Sequence, residues 1–208
     1  MILALVLGCS EYQVSQEDPP DVATPPPDVL DAQGEVPDWQ TCQSGWFAQY
    51  FNLKADHPDI GVNAPAPLGD DGWWSVNDLA FQRYDASLDL GPNWWPVDDG
   101  LAQDPQYFAV HWTAWLRAEG NTTMSIVLGA QDDARLVIDP GQNDEIPLSV
   151  FQPLTFEVDT YDIPIQSGVH PLDLRYSQRV GADNGFKFRI SGGDVKLCYP
   201  SFPDPVAE

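Results

Sequence analysis

Between Gly45 and Cys198 the chain is a succession of short segments, rich in aromatic and β-branched residues, most of which alternate apolar and polar side chains in period two. The segments fall at 46–51, 79–84, 107–116, 124–128, 135–138, 154–158, 161–165, 169–176, 186–190 and 195–198, and clusters of Gly, Pro, Asn and Asp part them. Successive side chains on a strand point to opposite faces, so such segments bury an apolar face only by stacking one sheet on another or by curling a sheet upon itself. No sustained period of 3.6 with a cap competes with this pattern. The sequence therefore predicts an all-β fold, an antiparallel sandwich or barrel, and 208 residues suit one such domain.

Positions 10–40 differ in kind. They carry acids from Glu11 to Asp38, six prolines, and neither Lys nor Arg. Like charges repel and little there is apolar, so the expectation is a disordered, acidic, Pro-rich linker. Before it, residues 1–9 form an apolar run ending in Gly8 and Cys9 that resembles the end of a bacterial lipoprotein signal. That resemblance implies Cys9 as a lipidated N-terminus, a bacterial cell envelope, outer-membrane or cell-surface location, and contact with membrane only through the lipid. The expected organisation is 1–9 signal-like, 10–40 linker and 41–208 β domain.

Setting Cys9 aside leaves Cys42 and Cys198, an even pair at the two ends of the folded part. In an oxidising compartment they are expected to form a disulfide whose long loop suggests a stabilisation on the order of 5 kcal/mol; the alternative is two buried thiols. His57, His111 and His170 have no metal-ligand spacing. The net charge of −23 excludes electrostatic capture of nucleic acid and makes a cation the natural small partner.

Three separated blocks, the second made of two segments, resemble one family, the protective-antigen-type β-barrel domain called the PA-fourteen domain. Gly45-Trp-Phe-Ala-Gln-Tyr-Phe-Asn52 is similar to its opening G-L-x-A-x-Y-F-N strand. Phe108-Ala-Val-His-Trp-Thr-Ala-Trp-Leu116 and Gln131-Asp-Asp-Ala-Arg-Leu-Val-Ile-Asp139 resemble its F-S-V-R-W-T-G-x-L and S-D-D-G-x-R-L-x-I-D segments, and Ile165-Gln-Ser-Gly-Val-His-Pro-Leu-Asp-Leu-Arg-Tyr176 resembles L-x-A-G-x-H-x-I-x-I-x-Y. The resemblance implies a β-barrel or sandwich used as a carbohydrate-binding or accessory module. In the family's adhesin branch a pair of aspartates joined by a cis peptide holds calcium, and a residue on a facing loop completes the site and meets the sugar. Carried onto this chain, the pair is Asp132 and Asp133, and the facing residue is Gln178, which retains an amide oxygen one methylene farther out than the family's Asn. Asp183 and Asn184 are the further polar candidates on the adjoining loop.

Calcium takes six to eight oxygen ligands, so two adjacent carboxylates can share an ion only where the backbone leaves strand geometry. A cis bond does that at a cost of about 3 kcal/mol. An acidic pair at a turn can equally serve the strand alone, Asp132 bonding the turn backbone and Asp133 pairing with Arg135 or a neighbour. Trp73, Trp74, Trp94 and Trp95 offer either flat platforms for sugar rings or a cover for the core. Asn121-Thr-Thr123 has the form of a glycosylation acceptor at a turn.

No nucleophile elbow, phosphate loop, zinc helix or dinucleotide fingerprint is legible, so no catalytic residue is assigned. The functional expectation is a surface-tethered, noncatalytic adhesion module that binds a glycan or cell-surface polysaccharide with calcium. The alternatives are a structural or protein-interaction domain that meets other surface proteins, and an accessory domain of a secreted hydrolase.

Overall fold

The computed structural model describes residues 34–52, 79–92, 107–142, 146–180 and 184–200. These residues form strands and turns; none is helical, and no helix among them is long and apolar enough to cross a membrane. The strands are β1 Trp46–Asn52, β2 Leu79–Asp85, β3 Leu88–Pro92, β4 Phe108–Ala118, β5 Thr122–Ile138, β6 Ile146–Ile165, β7 Gly168–Gln178, β8 Gly185–Ser191 and β9 Val195–Cys198. Every pairing is antiparallel. Together they make one nine-stranded sheet in the order β2-β1-β4-β7-β5-β8-β3, with β6 also paired to β5 and β9 to β4. The fold is all-β, as the alternation predicts.

Two departures from the expected segments matter for the site. Residues 124–128 and 135–138 belong to a single 17-residue strand, and 154–158 and 161–165 to a single 20-residue strand. The long strands run past the polar and proline positions that interrupt the pattern. β3 is not marked by the pattern at all, because Leu88-Asp-Leu-Gly-Pro92 carries two turn-forming residues.

β5 changes partner part-way along one edge. Residues 125–130 pair with β8, residues 133–138 pair with β7, and β6 follows the opposite edge. Thus β7 and β8 lie end to end against β5, with Arg179 and Val180 following β7 and Asn184 preceding β8 outside the strands. At the same level the β5–β6 register jumps from Ala130–Glu157 to Asp132–Gln152, so residues 153–156 have no counterpart on β5. Bulges of this kind bend strands and turn sheets through corners.

The bend carries β8 over the face of β1 and β4. The rings of Trp112 and Phe186 stack at 4.7 Å, and Trp46 meets Phe188 edge-on at 5.1 Å. β1, β4, β5 and β7 turn even-numbered residues into this one core, where Trp46, Tyr50, Trp112, Leu136, Leu174 and Tyr176 are all buried. Period two in the sequence thus becomes one continuous apolar face; truncating a large aromatic in such a core costs about 3–5 kcal/mol.

Cys42 and Cys198 form the expected disulfide. Around it, the Cys42 N–H donates to the Asp38 carbonyl at 2.8 Å and Lys196 Nζ donates to the Trp39 carbonyl at 2.5 Å, which ties the first described residues to β9. Cys9, most of the expected linker, Asp183 and the four paired tryptophans at 73, 74, 94 and 95 lie outside the described residues.

Candidate functional site

Asp132 and Asp133 sit at the corner of β5, and both are fully buried. The chain bends there without a cis peptide, since none occurs among the described residues. Instead Asp132 adopts a left-handed φ of 69°. This corrects the expectation of a cis bond: aspartate is among the few residues that enter that region readily, and the register jump already supplies the departure from strand geometry.

The interruption between β7 and β8 leaves backbone groups without a ladder partner. Asp132 supplies it, with Oδ2 accepting the N–H of Arg179 at 2.9 Å and of Val180 at 3.0 Å. Asp133 Oδ2 accepts a hydrogen bond from Arg179 Nε at 2.5 Å, and both side chains of that ion pair are buried. The two carboxylates therefore converge on one residue, Asp132 on its main chain and Asp133 on its side chain. The partner of Asp133 is Arg179 rather than Arg135.

Gln178 ends β7 against Phe108 and is also fully buried. The Tyr176 hydroxyl donates to its Oε1 at 2.7 Å and is itself hydrogen-bonded by the Gly185 main chain. Asn184 stands next to Gly185, two residues before Phe186, just as Asp132 stands two residues after Ala130, the partner of Phe186. Register and the Tyr176 contacts thus bring Asp132, Asp133, Gln178 and Asn184 together at one corner. Sequence reasoning missed Arg179 and Tyr176. The one signal for Arg179 is a cation directly after Gln178, and nothing local says which acid it meets.

The corner is electrostatically incomplete. Asp133 Oδ1, Ser177 Oγ and both amide atoms of Asn184 are buried with no hydrogen-bond partner, four of the eight such side-chain atoms among the described residues. Buried polar groups are ordinarily paired, and each left unpaired costs about 1–3 kcal/mol. Burial raises the Asp133 carboxyl above its ordinary range; Arg179 opposes that rise and Asp132 adds to it. Burial likewise holds the Tyr176 phenol well above its ordinary range, helped by both aspartates, so its hydroxyl stays a donor. Two carboxylates against one guanidinium leave a formal charge of −1.

The oxygens present suit a hard cation. No group of three or more His, Cys, Asp and Glu occurs among the described residues, so two carboxylates would have to be joined by amide and main-chain oxygens, water or ligand hydroxyls. Elsewhere, the other polar expectation resolves as a turn: Asn121 Oδ1 accepts the Ser167 N–H at 2.9 Å between β4–β5 and β6–β7.

No protein-family model matches the chain, and no curated protein matches it by sequence. Solved structures match by shape. The PA14 domain of the antifreeze protein MpAFP superposes with a TM-score of 0.52 at 14% identity over 81% of this chain and 97% of that one. An anti-sigma factor domain-containing protein gives 0.52 at 16% identity, over 80% of this chain and 50% of that one. The A domain of epithelial adhesin 9 from Candida glabrata, solved with Galb1-4GlcNAc, gives 0.49 at 10% identity over 82% and 88%. The chain thus has a PA14-type fold, as its three sequence blocks predict.

Proposed function

We propose that this chain is a noncatalytic glycan-binding module of a cell surface, tethered through Cys9, and that the β5 corner is its site, with calcium as the bridging ion. The observation that carries the reading is the unpartnered Asp133 Oδ1, a buried carboxylate oxygen at the corner to which the register also brings the equally unpartnered amide of Asn184. A site that leaves a charged oxygen unbonded in a packed interior gives up stability unless something else binds there. Asp132, Asp133, Gln178 and Asn184 are the residues that would hold the ion, with Asp183, next to Asn184 in the sequence, as a further candidate. Calcium bound there would supply open coordination positions for sugar hydroxyls. The ligand class rests on the likeness of the Gln131–Asp139 block to the family's adhesin branch.

The test is binding of the full chain to a glycan array in calcium and again in chelator. Chelator-sensitive binding that is lost in Asp133→Ala supports the reading; binding to no glycan under either condition sinks it. A second reading has its own observation. The Arg179–Asp133 pair at 2.5 Å already places one cation in the corner, which favours a structural or protein-interaction domain in which the pair only locks the bend. Calcium that leaves the melting temperature unchanged would support that alternative.

A further inference from the structure

Arg179 is the feature of the corner that a calcium site does not account for. Its guanidinium is almost wholly buried, 5% exposed, and rests on Asp133 Oδ2, while its own main-chain N–H is held by Asp132. A divalent ion drawing on Asp133 would therefore meet a fixed positive charge on the same carboxylate. In a poorly solvated setting that repulsion is screened far less than at a surface.

Resting on the reading above, we propose that Arg179 is a built-in competitor for the divalent ion: its guanidinium neutralises Asp133 when the ion is absent and sets the affinity by having to give way when it arrives. Three observations meet here. The pair satisfies only one oxygen of Asp133 and leaves Oδ1 unbonded, so the guanidinium compensates the carboxylate in part. Asn184 places a buried, unbonded amide at the same corner, which the arginine does not satisfy. Arg179 also stands just past the end of β7, outside its paired range, so its side chain can be displaced without breaking a strand. The Asp132 contact to the Arg179 N–H is a main-chain bond and survives replacement of the side chain.

The consequence is a calcium affinity weaker than the oxygen set alone would give, so that the site responds to high external calcium and remains folded without it. Removing the guanidinium raises the formal charge on the acidic pair from −1 to −2. The experiment is calorimetric titration of the full chain with calcium chloride alone, for the natural sequence, Arg179→Met, Arg179→Gln and Arg179→Lys, with thermal melting of each in calcium and in chelator. The expected result is at least tenfold tighter calcium binding in the Met and Gln variants and little change in Lys, which keeps the charge. The neutral variants should also melt lower than the natural chain in chelator and recover more on adding calcium.

Calcium binding by the natural chain with no tightening in either neutral variant overturns this inference and leaves the proposed site standing. Equal tightening in Arg179→Lys also overturns it, because shape rather than charge would then be responsible. Calcium binding by none of the four proteins overturns both the inference and the calcium site. If Arg179→Met does not fold, the more polar Arg179→Gln carries the comparison, and rescue of the Met variant's folding by calcium counts for the inference.

Discussion

Asp85 and Asp133 are both carboxylates paired with arginine and largely shielded from solvent, and they are finished to different degrees. Asp85, at the end of β2, accepts Tyr50 Oη at 2.6 Å and Trp112 Nε1 at 2.8 Å on one oxygen and Arg83 Nε at 2.6 Å on the other. Arg83 donates in turn to the Tyr50 hydroxyl at 2.8 Å and lies over its ring at 4.6 Å. Burial, with Asp85 next, holds the Tyr50 phenol well above its ordinary range, so it remains a donor to the carboxylate. Asp133 has one short bond to Arg179 and one bare oxygen. The same pair of residue types thus makes a closed network joining β1, β2 and β4, and an open one at the corner of β5. Closed networks specify and rigidify a fold, whereas incomplete ones are costly enough to imply a purpose.

The sharpest way to break this comparison is to remove each carboxylate. Asp85→Ala strands a guanidinium, a phenol and an indole N–H together and should cost about 3–5 kcal/mol, read as a fall in the denaturant midpoint at unchanged slope. Calcium binding per folded molecule should not change. If Asp85→Ala costs less than Asp133→Ala, the distinction between a finished and an unfinished network fails.

A third carboxylate lies between the two in effect and is read by acid. Asp173 on β7 meets His111 Nε2 at 3.0 Å and Arg175 Nε at 2.9 Å. Burial alone would raise its pKa, but His111 and Arg175 outweigh that and hold it well below the ordinary range. A depressed folded value means the stabilisation is present above the unfolded pKa of about 3.9 and is lost as pH falls below it. Stability should therefore decline steadily from about pH 4 downward, as the unfolded chain takes up a proton the folded one refuses. Asp173→Asn should flatten that decline in an acid titration followed by fluorescence. An unchanged acid limb would mean that the pairing contributes nothing in solution.

Strands were legible because their alternation is local: each of β1, β4, β7 and β8 carries its even-numbered core residues in its own sequence. The disulfide was legible from cysteine counting, and the acidic pair from its block. What could not be seen was continuity. The Gln131–Asp133 stretch interrupts the apolar pattern, yet one strand continues across it, and only β6 and the β7–β8 junction reveal that the interruption is a sheet corner. The partner of Asp133 was equally hidden, because Arg179 lies 46 residues away and an arginine's reach is decided by tertiary placement.

The smallest effect is the most discriminating, because its sign is opposite to that of an ordinary core substitution. Asn184 is fully buried with neither amide atom bonded, so in the ion-free protein it loses hydration and recovers nothing. Replacing such a group by an apolar one of similar size is neutral or stabilising. Asn184→Leu should accordingly raise stability by about 1 kcal/mol in chelator, while weakening calcium binding at the corner. Thermal melting in chelator and in calcium measures both halves at once: the variant should melt higher than the natural chain in the first and show the smaller calcium-induced rise in the second. A variant that melts lower in chelator would mean that the Asn184 amide is satisfied in solution, and the unfinished corner would then be no different in kind from the closed network at Asp85.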